Sequence, residues 1–270
     1  MRIGVIGCAG RMGRANLREV LGTPGATLAG GVERPGHEAI GQDLGVLAGV
    51  DPVGILATDD VPALIRAAEA VIEFSTPEAT LANAALCAEQ GRAHVVGTTG
   101  LTLDQELELR RHAERTAIVR APNMSLGVNL LLGLVEQVAR ALDPDYDIEI
   151  LEMHHRHKVD APSGTALALG RVAARGRGVD LDQVADRARD GATGARKVGG
   201  IGFAVLRGGD AVGDHHVVFA GPGERLELAH HATDRGIYSR GAVRAARWAA
   251  GQAPGLYGMA EVLGLRAGPG

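Results

Sequence analysis

The first 125 residues alternate between short apolar runs and stretches with helical spacing. Ile3 to Ile6, Thr27 to Val32, Val71 to Ser75, His94 to Gly97 and Ala117 to Arg120 are the apolar runs, each short and bounded by glycine, proline or polar residues. Between the first two, Met12, Ala15, Leu17, Val20 and Leu21 recur at helical spacing. Pro77 marks the start of another helix, a position where its missing N–H is not needed. Strands that are apolar throughout and alternate with helices predict a parallel sheet, hence an α/β domain. His37 to Val53 is glycine-rich and weakly patterned, and predicts a loop with one short extra element.

Beyond residue 125 the pattern changes. Ser125-Leu126-Gly127-Val128-Asn129 leads into a long apolar helix that ends near Leu142, and marks the expected junction between two domains. Tyr146 to Met153 predicts a strand that delivers His154 at its end, and Ser163 opens a helix through Ala166, Leu167, Leu169 and Val172. Arg175 to Gly200 is rich in Arg, Gly and Asp and predicts long connections around one short helix, Leu181 to Ala188. Ile201 to Leu206, His215 to Ala220 and Arg225 to His231 predict strands; Leu226 and Leu228 alternate with Arg225 and Glu227, as in a sheet covered on one face. The second half therefore predicts an α+β domain with a mostly antiparallel sheet. A helix from Ala242 to Ala250 and a short apolar segment from Leu256 to Leu263 close the chain.

The chain has 270 residues, 46% of them hydrophobic, which is room for one large or two ordinary domains with real cores. A net charge of -4, with acids and bases mixed along the chain, argues against nucleic acid as a partner, because no basic face is concentrated anywhere. Cys8 and Cys87 lie in apolar surroundings without metal-ligand spacing, and are expected to be reduced thiols in a cytoplasmic protein. Met1-Arg2 leads straight into a strand, with no leader expected, and no apolar run approaches the ~20 residues of a membrane span.

Two stretches carry chemistry. The first is Gly7-Cys8-Ala9-Gly10-Arg11-Met12-Gly13, a glycine turn between strand and helix. Such glycines let backbone N–H groups approach a pyrophosphate, and the helix N-terminus accepts its charge. The spacing is Gly-x-x-Gly-x-x-Gly rather than the commoner Gly-x-Gly-x-x-Gly, so by itself it also fits an ordinary turn. Glu33 and Arg34 end the next strand about twenty residues further on, where an acid can accept ribose hydroxyls and an arginine can meet a 2′-phosphate. Both together suggest that either NADH or NADPH is used.

The second is Glu152 to Ala166. His154, His155, Arg156, His157 and Lys158 are consecutive, and Ser163-Gly164-Thr165 then opens a helix. A helix start with a serine cap and a bare glycine presents unpaired N–H groups and the positive end of the dipole, a site for a carboxylate or phosphate. The stretch reads as a small-anion pocket with proton donors beside it. A solvated loop, a plain helix cap and a metal site remain open, although no cysteine or helical His-x-x-x-His pair supports the metal. His215, His216, His230 and His231 read as residues at the edges of amphipathic strands.

The pattern Glu-x-His-His-x-x-Lys-x-Asp-x-Pro-Ser-Gly-Thr, here Glu152 to Thr165, closely resembles the signature of the dihydrodipicolinate reductase family (4-hydroxy-tetrahydrodipicolinate reductases) of the diaminopimelate branch of lysine synthesis. The resemblance extends over essentially the whole chain, Arg2 to about Leu265. It implies a Rossmann-like dinucleotide-binding domain from residues 1–125 and 236–270, and a substrate-binding and oligomerisation domain from 126–235. It implies NADH or NADPH held by Gly7 to Gly13, by Glu33 and Arg34, and on the nicotinamide side by Phe74, Gly97-Thr98-Thr99 and Ala121-Pro122-Asn123-Met124. It assigns proton transfer to His154 and Lys158, and places the two carboxylates of a small dicarboxylate ring on His155, Ser163, Gly164 and Thr165. It implies no resident metal, and a homotetramer built by pairing the second sheet across subunits. A histidine suits proton donation at neutral pH. Lysine is a poor acid there unless neighbouring cations or burial favour its neutral form, so Lys158 is either a donor or an electrostatic clamp on a carboxylate. Asp160 is expected to orient the loop, since an acid would repel a dianion. A semialdehyde or amino-acid oxidoreductase, a non-enzymatic NAD(P)-binding sensor and a metal-dependent hydrolase are the other readings; none explains Glu152 to Ala166.

Overall fold

The computed structural model describes residues 1–265. In chain order the elements are β1 (Arg2–Ile6), α1 (Arg11–Gly22), β2 (Thr27–Val32), α2 (Leu44–Ala48), α3 (Val61–Ala67), β3 (Ala70–Glu73), α4 (Pro77–Gln90), β4 (Ala93–Val96), α5 (Leu103–Ala113) and β5 (Ala117–Arg120). They continue with α6 (Leu126–Ala141), β6 (Asp147–His154), α7 (Gly164–Arg177), α8 (Leu181–Val184), β7 (Ala185–Asp186), β8 (Ile201–Arg207), β9 (Gly213–Gly221), β10 (Glu224–Ala232), α9 (Gly236–Ala249), β11 (Gly255–Tyr257) and α10 (Met259–Val262). The chain divides into two compact units, one of residues 1–126 with 236 onward, the other of residues 127–235.

The first unit is a parallel α/β sheet of the Rossmann type, with strand order β11-β5-β4-β3-β1-β2 and every pairing parallel. Its strands are apolar on both sides because both faces are covered. Ile3, Val5, Ile72, Val95 and Val119 pack with Leu17 and Val20 of α1 and Val243 and Ala246 of α9. On the other side Val71 meets Leu64 and Ile65 of α3, while Val96 and Ile118 meet Leu109 of α5. The helix starts are written locally. Thr76 caps α4 ahead of Pro77, and Thr102 and Gln105 form a reciprocal capping box on α5.

The second unit packs α6 and α7 against one face of a five-stranded sheet of order β10-β9-β6-β8-β7. The alternation of β6 sends Ile148, Ile150, Glu152 and His154 inward. On β9 it sends His215, Val217 and Phe219 inward. The opposite face is polar: Arg189 and Arg196 bridge to Glu149 there, at 2.8 Å each. The sheet is mixed. Its β10–β9–β6 half is antiparallel as expected, but β8 runs parallel to β6 and β7 parallel to β8. The parallel pairing is possible because the long connection through α7 and α8 crosses from β6 to β8.

Two element readings need correcting. The expected helix Leu181 to Ala188 stops at Val184, and Ala185 and Asp186 pair with β8 instead. The last long helix starts at Gly236, six residues ahead of the Ala242 suggested by apolar spacing. The terminal apolar segment from Leu256 splits into β11, which extends the first sheet beside β5, and α10.

Candidate active site

In the first unit the glycine turn has the shape its spacing suggests. Gly7 sits at φ +72, and a Cβ at Gly13 would drive into the Gly7 carbonyl and the Cys8 backbone, so α1 can approach the turn only without a side chain there. Gly10 is the N-cap of α1, and no side chain among the described residues caps that helix start. Its first-turn amides, at Arg11, Met12 and Gly13, therefore have no partner within the helix and stand ready for an anion. Cys8 turns its side chain into the core, where burial pushes its thiol up to about 12, so it offers the turn only its backbone. Glu33, at the end of β2, folds over the turn: its carboxylate accepts the N–H of Ala9 at 2.9 Å and of Arg34 at 3.2 Å. This cradle fits a dinucleotide.

The other strand ends differ in what they expose. The Phe74 ring lies where a Cβ of Gly97 would be, so that glycine makes room for the aromatic side chain. Thr98 is buried, its hydroxyl oxygen accepting from Ser75 N–H at 3.1 Å and from the Thr80 hydroxyl at 2.8 Å, whereas Thr99 is exposed. Ala121 and Met124 are core residues, Pro122 is exposed, and Asn123 accepts the Ser125 N–H at 2.9 Å.

In the second unit one buried carboxylate organises the signature stretch. Glu152 is 1% exposed. Its Oε2 meets His154 Nδ1 at 2.5 Å, and its Oε1 accepts the Ser163 N–H at 2.9 Å. Arg207, on the neighbouring β8, grips both oxygens at 2.7 and 2.9 Å, and also donates to the Asp160 carbonyl at 2.8 Å. Burial would raise the Glu152 carboxyl, but the hydrogen bonds from Arg207, His154 and Ser163 outweigh it and hold the group below the usual carboxylate range. Glu152 is therefore an ionised acceptor, and His154 Nδ1 must donate to it.

Ser163 caps α7 as the sequence suggested, accepting the Ala166 N–H at 3.1 Å. Its hydroxyl is also engaged with His215 Nε2 at 3.1 Å, and the residue is 2% exposed. Lys158 Nζ pairs with Asp160 at 2.8 Å. That pairing, with the Arg207 bond to the Asp160 carbonyl, gives Asp160 the loop-holding place expected of it. His155 is half-buried, its ring 6.3 Å from that of His157.

Sequence reasoning missed Arg207 and misjudged His215. Read as a strand-edge residue, His215 is 4% exposed, its ring 5.1 Å from that of His154. The signal was present: His215 shares a face with Val217 and Phe219, so period-two alternation buries it. Arg207 had no such signal, because only the β6–β8 pairing brings it beside His154. Among the described residues no group of three or more His, Cys, Asp and Glu side chains could hold a metal ion.

Burial drives the His215 imidazole down to about 4 from an ordinary value near 6.5. Between those values the unfolded chain binds a proton that the folded chain refuses, so stability is full above pH 6.5 and declines as pH falls towards 4. The contribution is about 3 kcal/mol. The loss in urea midpoint between pH 7 and pH 4.5 should accordingly be smaller in His215→Gln than in the parent. An equal loss in both would show that His215 is not the titrating group.

A Rossmann-type sheet with a phosphate-fitting turn, joined in one chain to a unit in which one carboxylate holds a histidine and a helix start, fits a dinucleotide-dependent oxidoreductase. Comparison with known proteins specifies which. The family described as "Dihydrodipicolinate reductase, N-terminus" matches residues 1–124, and "Dihydrodipicolinate reductase, C-terminus" matches residues 127–263. The 4-hydroxy-tetrahydrodipicolinate reductase of Rhodopseudomonas palustris (strain BisB18) is 55% identical over 265 residues, 98% of each chain. That of Parvibaculum lavamentivorans is 57% identical over 266 residues, again 98% of each. Among solved structures, a dipicolinate-bound dihydrodipicolinate reductase from Paenisporosarcina sp. TG-14 has the same fold, with TM-score 0.78 at 24% identity over 97% of this chain and 98% of that one. The chain belongs to the dihydrodipicolinate reductase family. It is an oxidoreductase of the lysine–diaminopimelate route that reduces 4-hydroxy-tetrahydrodipicolinate with NADH or NADPH.

Proposed function

We infer that the first unit holds the dinucleotide and the second holds the substrate, (2S,4S)-4-hydroxy-2,3,4,5-tetrahydrodipicolinate, and that His154 supplies the proton that completes its reduction to 2,3,4,5-tetrahydrodipicolinate with loss of water. A bound nicotinamide supplies the hydride. The observation that carries this reading is the shared carboxylate: Glu152 holds the imidazole of His154 and the helix start at Ser163 through its two oxygens, 2.5 and 2.9 Å away. A proton donor and an anion-binding helix start are thereby fixed to one point, as reduction of a cyclic imine that carries carboxylates requires.

His155 and the amides of Gly164 and Thr165 bind the carboxylates, with Ser163 shaping the helix start. Lys158 is drawn towards the clamp role, because its ammonium is held in place by the Asp160 carboxylate at 2.8 Å. Gly7 to Gly13 take the pyrophosphate, and Glu33 and Arg34 the adenosine ribose with or without its 2′-phosphate. Phe74, Gly97, Thr98, Thr99 and Ala121 to Met124 line the nicotinamide side. The enzyme works in the cytoplasm; among the described residues no helix is long and apolar enough to cross a membrane. It assembles as a homotetramer through the second sheet, whose edge strand β10 is long and largely exposed, with Leu226 at 42%. Sedimentation at micromolar concentration tests the assembly.

The activity is tested by making the substrate in situ from pyruvate and aspartate semialdehyde with the preceding synthase, then following oxidation of NADH and, separately, NADPH. Oxidation that needs every component is the expected outcome, and the two kcat/KM values rank Glu33 against Arg34. Cofactor binding without turnover would return the chain to the sensor reading.

A further inference from the structure

His154 is a proton donor only if the right ring nitrogen faces the substrate. Its ring is placed between Glu152 on its own strand, Arg207 on β8 and His215 on β9, with Asp214 and His230 beyond His215. Nδ1 is occupied by Glu152 at 2.5 Å. Nε2 has no hydrogen-bond partner among the described residues, and it faces Gly213, where an added Cβ would lie 2.9 Å away. The space beside Nε2 is therefore kept open by the one residue type without a side chain.

We propose that Glu152 and Arg207 are positioning residues for the reduction: Glu152 fixes the proton of neutral His154 on Nδ1, so that Nε2 alone exchanges protons with substrate, and Arg207 keeps Glu152 an ionised acceptor. Four N–H groups converge on the two carboxylate oxygens, from His154, Ser163 and twice from Arg207. An amide in that place would turn its own N–H towards a donor whichever way it lay, so the site is built for a carboxylate. In the transfer, the Nε2–H bond of the imidazolium breaks, its proton passes to the reduced substrate, and the electron pair stays on Nε2. Nδ1–H remains bonded to Glu152 throughout. Glu152 places a negative charge beside the ring and Arg207 a positive one, so removing one or the other changes the field at Nε2 in opposite senses.

This inference rests on His154 being the acid, so it is tested both with and without turnover. In the pH profile of kcat, the loss of activity towards high pH should move to lower pH in E152Q and to higher pH in R207Q, while E152D, which keeps the charge, stays closer to the parent. In E152Q, kcat should also fall by about tenfold or more. Damage to packing alone would lower both variants without moving the profiles in opposite directions. Independently of turnover, imidazole 15N shifts of the free protein should show neutral His154 protonated at Nδ1 in the parent and at Nε2, or at both in exchange, in E152Q. If E152Q does not fold, R207Q and the parent spectrum still decide. Profiles that do not move, or that move together, or a parent His154 protonated at Nε2, would overturn the proposal. If kcat survives removal of His154 while the 15N result holds, the assignment of the acid fails and the positioning by Glu152 stands.

Discussion

His154→Ala should lower kcat by about a hundredfold or more, the scale of a lost general acid, while NADH binding is retained. The separation follows from the structure. His154 ends β6 in the second unit, and its ring touches Glu152 and His215, all within residues 127–235. The glycine turn and Glu33 lie in the other unit. Removing the imidazole leaves Glu152 still held by Arg207 and the Ser163 N–H, so the start of α7, proposed to bind the substrate carboxylates, keeps its place. KM for the substrate should accordingly change far less than kcat. Steady-state kinetics with titration of NADH fluorescence checks both parts, and an unchanged kcat would remove His154 from the reaction.

Glu73→Ala should destabilise the first unit by about 3–5 kcal/mol, because it removes the shared partner of several buried polar groups, each costing about 1–3 kcal/mol when left unsatisfied. Glu73 and His94 are both fully buried, 2.7 Å apart, on the adjacent strands β3 and β4, where His94 pairs with Val71, two residues before Glu73. The same carboxylate accepts from Asn83 of α4 at 2.8 Å and from the Ser75 hydroxyl at 2.5 Å. Truncation strands the buried side chains of His94 and Asn83 and takes the partner of the half-buried Ser75 hydroxyl. Glu73→Gln keeps the shape and should cost less, about 1–3 kcal/mol for the unsatisfied contacts it creates. Urea unfolding followed on both variants orders them. A Glu73→Ala protein as stable as its parent would mean that the helix and strand ends are held by packing alone. The network also bears on function: Ser75 leaves β3 tied to Thr98 just past β4, at two of the strand ends proposed to flank the nicotinamide.

Much of this was readable in advance for an identifiable reason. Each strand of the first sheet is covered on both faces, so its run of apolar residues is its own signature, and Thr27–Val32 and Ala117–Arg120 fall where the pattern put them. The Ser163 cap, the Thr-Gln box of α5 and the Pro77 start are local hydrogen-bonding features with a range of three or four residues. Leu181 to Ala188 went wrong because a four-residue turn followed by a strand pairing in parallel has no local period to distinguish it from a helix. The mixed character of the second sheet was hidden for the same reason, since the direction of β8 depends on a crossover rather than on its own residues.

The amino-acid sequence by itself determined the α/β class, the glycine turn, the cap of α7 and the place of His154 at a strand end, because each depends on neighbours within one turn or one strand. It also carried, unread, the inward face shared by Ile148, Ile150, Glu152 and His154. Only the tertiary structure decided what those inward residues meet. Arg207 lies 55 residues from Glu152 along the chain and His215 lies 52 from Ser163, and both arrive through pairing with β6. The charge state of a buried carboxylate and the proton-bearing nitrogen of a histidine depend on such partners, because in a desolvated site the few groups within hydrogen-bond reach outweigh everything further along the chain.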